Sequence, residues 1–291
     1  MNCRSPLRRP LASFEPNKAK PLKLIRQKNQ SLFNTSFYSG LGNKGQFLIR
    51  MLSLIPIDRN QSYGFIVNRR GYSKDVLKHL ASLDIQKGSE VLAARLSTDV
   101  GRYDFAIQIS KQASYEKRFY NKYNYPIIQT PREVNNKIMP RSDLILAIIR
   151  QESEFDRKAN SYVGARGMMQ LMKYTAKIVA KQAKLPYSIS GLTRDPEYNI
   201  KLGSYYFNSL IEDYNGVYPF AIAAYNAGPN RVKTWRRVNG DPSKGQLSYV
   251  NWIEQIRFKE TRNYVQRVLE NINVYKYILS KEPVQIDSYF N

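Results

Sequence analysis

The 291 residues are 42% hydrophobic, enough for a packed core, and carry 46 Lys and Arg against 23 Asp and Glu, a net charge of +23. That surplus predicts attraction to polyanions, whether nucleic acid, anionic lipid or an anionic wall polymer. Cys3 and His79 are the only residues of their kinds, which excludes an internal disulfide, argues against a Cys/His zinc site or a Ser–His triad, and leaves acid–base chemistry to carboxylates, Tyr or Lys with no metal or cofactor.

Residues 1–45 are rich in Lys, Arg, Pro, Asn and Ser without sustained periodicity, and read as a basic, disordered segment. Within them GLGNKG (Gly40, Gly42, Gly45) formally matches a dinucleotide fingerprint, but no apolar strand precedes it and no βαβ pattern surrounds it. It reads as an incidental loop. The N-terminus has no apolar core of the kind a signal peptide needs. No run approaches the roughly 20 apolar residues of a membrane span. The richest, Phe47 to Ile57, contains Arg50.

Residues 46–135 carry helical spacing in SKDVLKHLASL, GSEVLAARLSTDV and GRYDFAIQISKQA. Gly88 and Gly101 fall between these stretches, Ser73 and Ser89 are candidate N-caps, and His79 reads as a partly buried helix residue. Short helices joined by tight turns predict stacked helical hairpins. The Pro-punctuated stretch NKYNYPIIQTPREVNNKIMPRSD reads as a linker. It leads into a second domain, 136–291, with helical segments near 142–154, 173–184, 197–213, 217–225, 229–238 and 260–280. A short hairpin is conceivable near 155–167.

Chemistry enters at LILAIIRQESEFD, residues 144–156. Ser142 suits an N-cap with Asp143 in the first turn. Ile145, Ile148, Ile149 and Glu152 then share one helix face. A carboxyl on an apolar face resists ionisation, so its pKa should rise toward neutrality, as a general acid requires. The competing reading is a helix-end acid paired with one of many cations, and position alone favours it. Glu154 and Asp156 fall past the stripe, toward solvent.

Three later stretches bear on that choice: the Gly-punctuated loop NSYVGARGMMQLM, the small-residue helix and corner FAIAAYNAGPNRV, and the amphipathic KETRNYVQRVLENINVY. Small residues permit close helix approach, and Pro229 restarts the chain at a first-turn position. In this order, from about Asp143 to Tyr277, the motifs resemble those of the soluble lytic transglycosylases, which cleave peptidoglycan with a goose-lysozyme-like domain. The helical segment before them resembles, more weakly, the end of that family's superhelical ring and linker.

The resemblance implies a mainly α fold: a superhelical helical-hairpin segment, then a lysozyme-like, mostly helical catalytic domain. It implies Glu152 as the single catalytic acid, with Ser161, Gln170, Met172, Tyr225, Asn226 and Glu260 around the sugar. It implies cleavage between MurNAc and GlcNAc with a 1,6-anhydro product, Glu152 acting first as acid and then as base. Glycan strands are the implied partner, and the periplasm or cell envelope the implied location. Three departures stand out: Met168 for a usual Leu, Lys173 and Arg257 for usual prolines. A lysozyme-type hydrolase, and a non-catalytic wall- or nucleic-acid-binding protein, are the competing readings; no nucleic-acid module is recognisable.

Overall fold

Helix α1 (Ser89–Asp99) turns at Gly101, whose φ is +73°, into α2 (Tyr103–Tyr115). Ala93 and Ala94 pack on Ala106 and Ile109, and their small size sets a close approach. This pair is the described part of the expected helical hairpins, for the computed structural model describes residues 89–281. The basic N-terminal segment, GLGNKG, His79 and the SKDVLKHLASL stretch lie outside the described residues.

The expected linker is more ordered than its prolines suggest. A short helix α3 (Asn121–Asn124) leads to a two-stranded antiparallel hairpin, β1 (Glu133–Val134) and β2 (Lys137–Ile138). Its two-residue turn places Asn135 and Asn136 at φ of 50° and 58°. Asn tolerates left-handed backbone, and a turn with both central φ positive matches the strand twist. Near 155–167, where a hairpin was conceivable, only isolated bridges form, Asn160 to Arg166 and Arg166 to Leu171.

Helix α4 (Ser142–Ser153) is buried on every side: Leu144, Ile145, Leu146, Ala147, Ile148 and Ile149 are all at most 2% exposed. The expected single apolar face is thus an all-round one, because α4 is the central helix of the domain. Each of its Leu and Ile side chains contributes roughly 2 kcal/mol by leaving water. Ser142 is its first helical residue rather than its cap. Its hydroxyl lies 2.8 Å from that of Thr130 instead.

Around α4 stand α5 (Lys173–Gln182), the short α6 (Gly191–Arg194) and α7 (Pro196–Asp213). Then come α8 (Tyr218–Ala227), α9 (Pro229–Asn239), α10 (Tyr249–Glu254) and α11 (Lys259–Ser280). Asp195 caps α7 by accepting from Tyr198 N at 3.0 Å, with Pro196 in the first turn. The corner after α8 is made at Gly228, φ 92°, before Pro229. Helix α11 lies along α4, and α8 packs against α7, α9 and α11 through fully buried Ala223 and Ala224. The long α11 therefore meets both the central helix and the small-residue helix. That crossing builds the site. Among the described residues no helix is long and apolar enough to cross a membrane.

Candidate active site

Glu152 projects from the last turn of α4, where the first turn of α11 and the C-terminal end of α8 converge. Tyr264 Oη donates to Glu152 Oε1 at 2.7 Å. Part of the Glu152 residue still reaches solvent, yet its carboxyl lies deep in the protein mass. Burial lifts its pKa to about 8; the Tyr264 hydrogen bond opposes that rise and the charge of Glu260 adds to it. The carboxyl therefore stays protonated at neutral pH. Burial, with the nearby Glu152 charge, holds the Tyr225 and Tyr264 phenols well above their usual range, so both stay hydrogen-bond donors.

A loop, residues 160–171, is held beside this carboxyl by three helices. From α4, Ser153 Oγ donates to Met168 O at 2.8 Å. From α8, Tyr225 Oη donates to Met169 O at 2.8 Å. From α7, fully buried Asn199 accepts from Met169 N at 2.8 Å and donates to Arg166 O at 3.0 Å. Gly167 makes this grip possible. A Cβ there would lie 2.0 Å from Leu192 O and 2.4 Å from Asn199 Nδ2. The Tyr225 ring is wedged against Tyr206 and Phe207, with centroids 5.3 and 5.8 Å away.

The other residues singled out in the sequence occupy distinct positions. Asn226 Oδ1 accepts from Thr261 Oγ1 at 2.8 Å, tying α8 to the start of α11 one residue after Glu260. Glu260 is half-exposed in that first turn, its pKa raised by partial burial. Gln170 sits at φ 46° and folds its amide back onto Gly167 O at 2.8 Å. Ser161 Oγ accepts from Ala165 N at 2.9 Å and closes the loop's own turn. Met172 is exposed and lines a separate cavity, of which neither Glu152 nor Tyr225 is a wall. Glu152, Tyr225, Asn226 and Glu260 are thus brought together. Ser161 and Gln170 shape the adjoining loop, and Met172 lines the separate cavity.

Glu154 departs from its expected solvated position. It takes the left-handed conformation that ends α4, φ 50°, and its carboxylate pairs with Lys111 of α2. Phe155 beside it is buried against Tyr103. Helix α2 therefore braces the helix end that carries Glu152. Sequence reasoning missed Tyr264, Ser153 and Asn199. Tyr264 lies four residues after Glu260, on the same helix face, but within the apolar stripe of α11 it reads as a core aromatic. Asn199 carried the clearer signal, a polar residue inside the apolar stripe of α7.

Residues 130–248 match the family described as the Transglycosylase SLT domain. The soluble lytic murein transglycosylase of Escherichia coli K12 is 39% identical over 169 residues, 58% of this chain and 25% of that protein. The Salmonella typhimurium enzyme of the same name is 40% identical over 145 residues, 49% of this chain and 22% of that protein. Among solved structures, the 70 kDa soluble lytic transglycosylase of E. coli superposes with TM-score 0.61 at 25% identity, covering 91% of this chain and 37% of that one. An inactive mutant of lytic transglycosylase Slt from Pseudomonas aeruginosa gives TM-score 0.61 at 29% identity, covering 94% and 45%. The chain spans about a quarter of the length of these sequence relatives. The stretch that assembles the buried glutamate and its gripped loop is also the stretch that carries the likeness: residues 130–248 match the Transglycosylase SLT domain family.

Proposed function

We propose that this domain is a peptidoglycan lytic transglycosylase, cleaving the β-1,4 bond between MurNAc and GlcNAc and leaving a 1,6-anhydroMurNAc end. The observation that carries this reading is one carboxyl, Glu152, kept protonated at neutral pH by burial and hydrogen-bonded on a single oxygen. Because Tyr264 donates to Oε1, the acidic proton resides on Oε2, free to reach a glycosidic oxygen. Glu152 gives that proton to the leaving oxygen as positive charge develops at C1. The resulting carboxylate is stabilised by the Tyr264 hydroxyl and then takes the proton from the C6 hydroxyl of the same sugar. That oxygen attacks C1 and closes the anhydro ring. A nucleophile already tethered to the reacting sugar has an effective molarity on the order of 10⁵ M or more, which outcompetes water.

Glu260, half-exposed and close enough to raise the Glu152 pKa, favours the protonated acid before the bond breaks. As positive charge develops on the sugar, both carboxyls face it. Tyr225 and Asn226 hold the loop and the start of α11 in register and border the sugar. Ser161, Gln170 and Met172 bind it farther along the strand. Glycan strands are the partner in this reading, with no specific nucleic acid, and the periplasm or cell envelope is where they would be met.

Product mass separates the two glycan-cleaving chemistries. Digests of purified peptidoglycan are expected to end in anhydro sugars, each lighter by one water than the product of hydrolysis. Reducing ends alone would replace this reading with a lysozyme-type hydrolase. Tyr264→Phe gives a second check. Activity falls as pH rises through the Glu152 pKa, because the acid must be protonated. Tyr264 opposes the rise of that pKa, so its loss is expected to move the alkaline limb of kcat/KM to higher pH while lowering kcat. An unmoved limb would remove Tyr264 from the proton path.

A further inference from the structure

Shortly after Glu152 two consecutive residues take left-handed backbone, Glu154 at φ 50° and Phe155 at φ 67°. The only other adjacent pair of this kind without glycine, among the described residues, is Asn135–Asn136, built from a residue type that tolerates the region. Glu and Phe tolerate it poorly, and Phe155 is the only aromatic residue with a positive φ among those described. Strain of this kind persists only where the surroundings over-determine it. Here the surroundings are α2 and its cap. Glu154 pairs with Lys111, and Phe155, 2% exposed, meets Tyr103 edge to face with ring centroids 6.2 Å apart. Asp156 attracts Arg102, the residue that precedes α2. Three successive residues are thus held from one side, by a segment outside residues 130–248 that match the family.

We propose that Lys111 and Tyr103 are positioning residues for Glu152, acting through the strained turn at Glu154 and Phe155. The proposal rests on the transglycosylase reading above and adds to it a part of the site supplied from outside the matched residues. Glu152 lies in the last turn of α4, just before the strained pair. The hydrogen bond that closes this turn, from Glu154 N to Arg150 O, is long at 3.3 Å. The helix end therefore has little hold of its own. Without α2 the turn relaxes to negative φ, and the last turn of α4 moves with it. The carboxyl then leaves Tyr264 and gains water. The titratable groups facing that carboxyl are Tyr264 and Glu260 of α11 and Tyr225 of α8, and substitution at Lys111 or Glu154 leaves all three in place.

The test uses the full chain, with soluble peptidoglycan strands as substrate. Lys111→Met keeps much of the side chain's length and removes its charge. It is expected to lower kcat about tenfold with KM little changed, because the reacting group is misplaced while the contacts that bind substrate remain. Burial is the largest cause of the raised Glu152 pKa, so the alkaline limb of kcat/KM is expected to move to lower pH. Glu154→Gly, added to Lys111→Met, supplies a residue at ease with φ 50° and is expected to restore most of kcat. A melting temperature that falls while kcat and the limb stay put would overturn the proposal, as would a double variant no better than the single one. The Glu152 pKa is also read without turnover, from the pH window over which Glu152→Gln stabilises the chain, with and without Lys111→Met. An inactive wild-type chain would sink the transglycosylase reading. The positioning role would still stand if the upper edge of that window fell with Lys111→Met, and would fail if the edge did not move.

Discussion

Glu152→Gln is expected to abolish cleavage of peptidoglycan while making the domain more stable. Both effects follow from the same burial. In the proposed reaction one carboxyl supplies the proton and later removes one, so its loss takes away acid and base together, a fall on the order of 10³-fold or more. Gln keeps an oxygen that can accept from Tyr264, so the local geometry has no reason to collapse. Stability moves the other way. The folded pKa of Glu152, about 8, lies above its ordinary value of 4.5. Between these values the unfolded chain ionises and the folded one does not, so rising pH favours unfolding across that window. Below pH 4.5 the penalty is absent; above pH 8 it is complete. Removing the carboxyl should therefore recover on the order of 2 to 3 kcal/mol at pH 7, and almost nothing at pH 4. Thermal melts of both proteins across pH 4 to 9, with assays of sacculus digestion, check the pair of effects. Retained activity would remove Glu152 from the chemistry, and a pH-independent stability difference would refute its burial as the cause.

Gly167→Ala should produce the largest structural loss of any Gly→Ala change among the described glycines. The residue has φ 75°, and the new Cβ would sit 2.0 Å from Leu192 O and 2.4 Å from Asn199 Nδ2. The carbonyl belongs to backbone and cannot rotate aside, and Asn199 is fully buried while holding Met169 N and Arg166 O. The loop must lift off α7, leaving buried polar groups unpaired, at a cost of about 3 to 5 kcal/mol. A fall in melting temperature of about 10 °C is expected for a domain of this size. Because Met168 and Met169 on the same loop are tied to Ser153 and Tyr225, kcat should fall as well. Gly164→Ala is the control. Gly164 has φ 92° in the same loop but nothing within 4 Å of the added carbon. It should lose only the backbone preference of glycine, about 1 kcal/mol. Equal losses at the two positions would place the cost in backbone conformation and not in the close approach to α7.

These effects share one arrangement. The crossing of α4, α8 and α11 sets Glu152 between two phenols, and α7 holds the neighbouring loop from behind. Lys111 of α2 adds a brace at Glu154, so the preceding helical pair contributes to the position of the helix end that carries Glu152. This gives the helical-hairpin segment a local mechanical role alongside its place in the architecture.

The sequence by itself determined the main helices of the domain. Segments read at 142–154, 173–184, 197–213, 217–225, 229–238 and 260–280 correspond to α4, α5, α7, α8, α9 and α11 within a few residues. Helical period, capping residues and Pro or Gly stops act within one or two turns, so they are written locally. Helical spacing offered a raised pKa for Glu152 beside the ion-paired reading that position alone favoured, and the burial around α4 decided between them. Tertiary structure decided the rest. Tyr264 reaches Glu152 across 112 residues of chain, and that meeting depends on where α11 crosses α4. Asn199 and Gly167 meet only because α7 passes directly behind the loop. Ser161 and Gln170 each make a hydrogen bond that closes a turn of the loop, and Glu154, expected toward solvent, pairs with Lys111. The Asn135–Asn136 turn was hidden in a proline-rich stretch whose strands are two residues each, too short for any period to show. Such contacts are fixed by how packed helices approach one another, to within the ångström or so that a single Cβ at Gly167 would remove.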